Sequence, residues 1–134
     1  MTTMAAMNPS PPLALPDTFL AFHTLRWIPY LRYACQRLDS ADIADQAVRE
    51  TFGDLAITWP QVLGGPNPPA HAWRLLNNRI RRHAAGTGTR RCRLAGPDDD
   101  ITVLHYLQCP PEQIADLTGM NARTVRALLA RRCG

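Results

Sequence analysis

The chain has 134 residues, 46% of them apolar and 19% charged. This excludes a disordered chain and leaves room for one ordinary domain or two very small ones. All 15 basic residues are Arg, against 11 acids, and the net charge of +4 favours an anionic partner.

The elements follow in chain order. Residues 1–16 read as a loose, Pro-rich tail. Asp17 or Thr18 caps a first helix with apolar positions Phe19, Phe22, Leu25, Leu31, Ala34 and Leu38, and Cys35 falls on its core side. Pro29 is expected to kink or split it at Trp27–Ile28. Asp39 and Ser40 offer the next cap. A second helix is expected from Ala41 to Trp59, on the stripe Ile43, Ala47, Val48, Phe52, Leu55, Ala56 and Trp59, and Pro60 stops it. PQVLGGPNPP, 60–69, forms a loop. A third helix fits Ala70–His83 with a buried edge at Trp73, Leu76 and Ile80. Residues 84–97 read as a linker.

Charge is unevenly spread. Seven Arg (74, 79, 81, 82, 90, 91, 93) and no acid lie between Ile57 and Pro97. Residues 98–120 hold five acids and no Lys or Arg, and the last fourteen residues hold four Arg and no acid. Two positive faces separated by an acidic stretch suit a long polyanion touched twice.

The C-terminal window carries the sharpest signal. Ile101, Val103, Leu104 and Leu107 mark a short apolar helix. Pro111 fits the first turn of the next, Ile114, Ala115 and Leu117 are its inner residues, and Gly119 ends it in a left-handed turn. Asn121 caps a last helix with Val125, Leu128 and Leu129 inside. A small residue at 115, a Gly at 119 and a wedge at 125 are the spacing of a helix-turn-helix. Its outward side carries Arg123, Thr124, Arg126, Ala127, Ala130 and Arg131, and Arg pairs in fork geometry with guanine in the major groove.

The fold expected is therefore all-α, with two small helical domains. An N-terminal three-helix domain spans 17–83 and a C-terminal helix-turn-helix domain spans 98–134, joined by the linker 84–97. No nucleophile–base pair, phosphate loop or cofactor motif stands out, and His23, His71, His83 and His105 are scattered, so no enzyme and no cofactor are expected. His105 and Cys109 lie one helical turn apart, but a zinc site would need two more ligands from loops, so no metal is expected. No apolar run spans a bilayer, and the opening MTTMAAMNPSPPLALP lacks a basic start and is broken by Pro. A cytoplasmic protein with reduced cysteines and no membrane partner is expected.

Taken together, the halves resemble a sigma factor of the extracytoplasmic-function type, over about 17–83 and 99–133. The run Ala44-Asp45-Gln46-Ala47-Val48-Arg49-Glu50-Thr51-Phe52 is similar to the family's A-E-D-L-V-Q-E-x-F helix. Pro29 is similar to a proline common in its first helix. Ala72-Trp73, then Asn77 or Asn78, then Arg81-Arg82 resemble its third helix, and Glu112-Gln113-Ile114-Ala115 through Gly119 to Thr124-Val125-Arg126 resemble E-I-A-x-x-L-G-x-S-x-G-T-V-R. The resemblance implies that Asp45, Gln46, Arg49 and Glu50 dock on core RNA polymerase. It implies that the loop 60–69 holds an extruded base of melted −10 promoter DNA beside Arg74, Asn77, Asn78, Arg81 and Arg82. Arg123, Thr124, Arg126, Ala127 and Arg131 would contact −35 DNA. An anti-sigma protein is a further partner the family often has.

Two other readings follow from the residues. The loop 60–69 has no aromatic or charged residue, which suits a sigma-derived regulator that binds DNA or polymerase without melting promoters. A module whose two domains both bind protein is the third.

Overall fold

The computed structural model describes residues 16–38, 40–87 and 97–133. The expected tail over 1–15, the cap Asp39, the linker segment 88–96 with Arg90, Arg91 and Arg93, and the side chains of Asp98, Asp99 and Arg132 lie outside the described residues. Six helices and no strand make up the described chain: α1 (Asp17–Arg37), α2 (Ala41–Leu63), α3 (Pro68–Thr87), α4 (Pro97–Tyr106), α5 (Pro111–Thr118) and α6 (Ala122–Cys133). The all-α expectation holds. Among the described residues no helix is long and apolar enough to cross a membrane.

Helix α1 runs unbroken through Pro29, against the expected kink or split. A helical Pro removes one N–H and crowds the carbonyl four residues back, at a cost of ~3 kcal/mol. Packing on both sides of it outweighs that cost, because Phe19, Phe22, Tyr30, Tyr33 and Ala34 are all buried. Phe19, Phe22, Ala34 and Leu38 are buried as expected, but the buried face also takes in Arg26, Tyr30, Tyr33 and Arg37, so two arginines are covered while Leu25 is 69% exposed. Cys35 is exposed as well, not in the core.

Helix α2 starts at the Ser40 cap, whose Oγ accepts from the Ile43 N–H at 3.2 Å. It does not stop at Pro60 but continues to Leu63 through a bend at Thr58 (φ −112°, ψ 17°). The Thr58 hydroxyl bonds back to the Asp54 carbonyl at 3.0 Å, a contact that bends helices. With the break at Thr58, Pro60 falls in the first turn of the continuing segment, where its missing N–H costs nothing. Helix α3 likewise begins early, at Pro68, with the Asn67 Oδ1 accepting from the Ala70 N–H at 3.2 Å, and ends late, at Thr87. The expected ten-residue loop shrinks to Gly64–Asn67.

An aromatic core joins α1, α2 and α3, with Phe19 and Phe22 against Trp59 and Tyr30 against Phe52 and Trp73. Trp73, Leu76 and Ile80 are buried, as their spacing predicts. Ile101, Leu104, Ile114, Leu117, Val125 and Leu129 form the apolar centre of α4, α5 and α6. The C-terminal helices then lie on α1 and α3. Arg26 pairs with Asp116 at 2.9 Å, Arg37 pairs with Asp100 at 3.0 Å, and Arg32 donates to the Leu107 carbonyl at 2.7 Å. These partners explain why α1 buries arginines in place of Leu25: their charges meet acids of the other half.

Candidate nucleic-acid interface

Helices α5 and α6 are joined by a short turn fixed by three local devices. Gly119 takes φ +78°, and its N–H bonds to the Ala115 carbonyl at 2.9 Å, so the left-handed end predicted from sequence is present. The Thr118 hydroxyl lies 3.3 Å from the Met120 N–H. Asn121 caps α6, its Oδ1 accepting from the Arg123 N–H at 2.8 Å. Val125 is fully buried and Leu129 nearly so.

The opposite side of α6 is open. Arg123, Thr124, Arg126, Ala127, Ala130 and Arg131 are all exposed. Of the five positions expected to contact −35 DNA, Arg126 is the one whose side chain is ion-paired among the described residues, to Glu112 of α5. The Glu112 carboxyl is held below the usual range, first by its own backbone N–H and then by Arg126.

The second set, on α3, divides. Arg74, Asn78, Arg81 and Arg82 are exposed. Arg74 leans on His71 at 3.4 Å and Arg81 on Asn78 at 3.1 Å. Asn77 does not belong to this surface. It is buried, with its Nδ2 donating to the Trp73 carbonyl at 3.2 Å and to Asp100 at 3.4 Å, and its Oδ1 2.7 Å from the Tyr33 hydroxyl. The adjacent Arg79 is also committed, gripping the Asp54 carboxylate with two bonds of 2.8 Å.

At the bend at Thr58 a hollow of about 430 Å³ lies between α2 and α3. Ile57, Val62 and Leu75 line it together with the polar Asp54, Thr58, Gln61 and His71. A smaller hollow of about 120 Å³ continues toward Asn67 and Arg74. The resemblance implies a base-holding site in the loop 60–69 alone. Thr58 and His71 escape such a reading, because α2 is expected to end just beyond the one and the contribution of the other depends on where α3 starts.

The third set lies on α2. Asp45 pairs with Arg49 at 2.8 Å, Gln46 donates to Glu50 at 3.3 Å, and Glu50 is 2.7 Å from the His83 Nε2. The His83 hydrogen bond, with smaller help from Gln46 and Arg79, holds the Glu50 carboxyl below the usual range. The four residues thus share one face of α2, and Glu50 at its edge is tied to α3. Among the described residues no group of three or more His, Cys, Asp or Glu is placed to hold a metal.

The described chain is therefore an all-helical unit with two arginine-bearing surfaces, one on α3 and one on α6. No protein-family model matches it, no curated protein matches it and no solved structure matches it.

Proposed function

We propose that the chain is a compact, divergent sigma-like subunit of the extracytoplasmic-function type that directs RNA polymerase to promoters. In this reading α5, the Gly119 turn and α6 form a helix-turn-helix that reads −35 DNA. Arg123, Thr124, Arg126 and Ala127 face base edges, and Arg131 holds a phosphate. The exposed Arg74, Asn78, Arg81 and Arg82 of α3 track −10 DNA. The hollow between α2 and α3 takes an unstacked base, and Asp45, Gln46, Arg49 and Glu50 meet core polymerase.

The observation that carries this reading is the outward face of α6, which bears three exposed arginines and no acid on a helix seated against α5 by a left-handed glycine. Affinity for any duplex should fall steeply with salt, as phosphate neutralisation requires. The test is a pull-down with core RNA polymerase followed by run-off transcription from a selected promoter. A chain that neither binds core nor shifts duplex DNA ends the proposal.

One observation favours the second reading, a sigma-derived regulator that does not melt promoters. Asn77, expected on the DNA side of α3, is turned inward toward the C-terminal half. Permanganate footprinting separates the two: reactive thymines near the start site belong to the first, their absence in a bound complex to the second.

A further inference from the structure

Several ties hold α4, α5 and α6 against α1 and α3. The Asp100 carboxylate of α4 accepts from the Trp73 Nε1 at 2.8 Å and from the Arg37 Nη2 at 3.0 Å. Arg26 pairs with Asp116, and Arg32 donates to the Leu107 carbonyl. The Asn67 Nδ2 donates to the Gly119 carbonyl at 2.9 Å, and a β-carbon on Gly119 would fall 2.7 Å from the Ala70 Cα. Packing therefore fixes how far apart the two arginine-bearing surfaces stand, and that separation decides what a duplex can touch.

The surfaces adjoin. Ala70, Arg74, Asn78 and Arg81 recur at steps of three and four, so they share one side of α3. Gly119 presses on the first of them, and the next one along that side is the exposed Arg74. From Gly119 the chain passes through Met120 and Asn121 into α6, whose first turn carries the exposed Arg123. No acid occurs between Ile57 and Pro97 or after Asp116. The α3 stripe, the turn and the open side of α6 thus form one basic tract, bordered by Glu112, which pairs with Arg126.

The tract is short. Ala70 to Arg82 is ~18 Å of helix, and Ala122 to Arg131 is ~14 Å. The three steps from Gly119 to Ala122 reach at most ~11 Å. With α3 and the turn in contact, the backbone of the whole tract spans less than ~50 Å, the length of ~15 base pairs at ~3.4 Å each. The −10 and −35 elements, ~25 steps apart, lie ~85 Å from one another along a straight duplex. Two extended arginine side chains do not make up that difference.

We propose that the chain without polymerase binds one contiguous tract of duplex DNA, about one and a half helical turns long, with α6 in the major groove and the α3 stripe on the flanking phosphates. A helix laid in the groove supplies sequence choice, and the neighbouring arginines supply phosphate neutralisation. The inference rests on the DNA-binding reading above and goes beyond it: in the packed arrangement the two surfaces meet one site, not two promoter elements.

The test uses the full chain and a duplex selected by it from a random pool. Hydroxyl-radical footprinting on a long duplex carrying that sequence should show a single protected tract of ~15 base pairs. Two protected tracts ~25 base pairs apart overturn the proposal. In a second arm, fluorescence anisotropy compares a ~16-base-pair duplex with a ~8-base-pair core that is long enough for α6 alone. Arg74→Gln/Arg81→Gln, both at exposed positions, should weaken the longer duplex severalfold, flatten its salt dependence and leave the core bound as in the parent. Arg123→Gln should weaken both duplexes. No loss in the α3 variant, or the same loss on both lengths, overturns the shared site while the helix-turn-helix reading stands. A chain that binds no duplex at all ends that reading and this proposal with it.

Discussion

A β-carbon on Gly119 would lie 2.6 Å from the Cβ of Ala70 and 2.5 Å from its backbone N. The turn between α5 and α6 is therefore pressed against the first turn of α3 as closely as a glycine allows. One residue answers two demands, a left-handed backbone within the C-terminal half and a close approach between the halves. Gly119→Ala should lose ~1–2 kcal/mol from the left-handed conformation alone, with ~1–3 kcal/mol more from overpacking. Urea unfolding measures the sum. Adding Ala70→Gly should restore part of the second component and none of the first.

Gln108 closes α4 with φ +71°, the one described non-glycine residue at positive φ. Its N–H bonds to the His105 carbonyl at 2.9 Å, and the Cys109 N–H bonds to the Leu104 carbonyl at 3.1 Å. Glycine suits this helix end better than a residue with a Cβ. Gln108→Gly should raise stability by ~1 kcal/mol, seen as a higher thermal midpoint.

Neighbouring asparagines should behave oppositely. Asn77→Ala strips partners from Tyr33, Asp100 and the Trp73 carbonyl, and loss of one side of a buried polar network costs ~1–3 kcal/mol. Asn78→Ala, at an exposed site, should stay within ~0.5 kcal/mol of the parent. Chemical denaturation of both variants checks the contrast. Equal effects would mean that Asn77 is not held as described.

Glu50 gives a pH dependence whose sign is fixed. Its carboxyl is lowered from 4.5, first by the His83 hydrogen bond, so the folded chain binds that proton less readily than the unfolded one. Its stabilisation is complete above the unfolded value and disappears as pH falls through the lower folded value. Glu50→Gln should therefore cost stability near neutral pH, and the gap to the parent should narrow as pH drops below ~4. Urea midpoints across that range measure it; a gap that widens toward acid contradicts the assignment.

Glu112 restrains an arginine that the proposed −35 contact needs. Glu112→Gln should release Arg126 and strengthen duplex binding, most at low salt. Arg126→Ala should weaken it by ~1–3 kcal/mol. Fluorescence anisotropy at two salt concentrations reads both, and equal affinity in all three chains would remove Arg126 from the interface.

The sequence by itself determined the helical periodicity, the stripe of α2 from Ala47 to Trp59, the inner edge Trp73, Leu76 and Ile80, and the Gly119 turn. These are local: each follows from side-chain spacing or from the φ that one residue tolerates. Only the tertiary structure decided what to do with Pro29 and Pro60, because the cost of a helical proline is set against packing from outside the helix. It also decided that Arg26, Arg37 and Asn77 turn inward while Leu25 and Cys35 turn out. Polar residues are read from sequence as surface. Here acids some 60 to 90 positions along the chain neutralise two of them on burial, and spacing within one helix holds no information about a partner that distant.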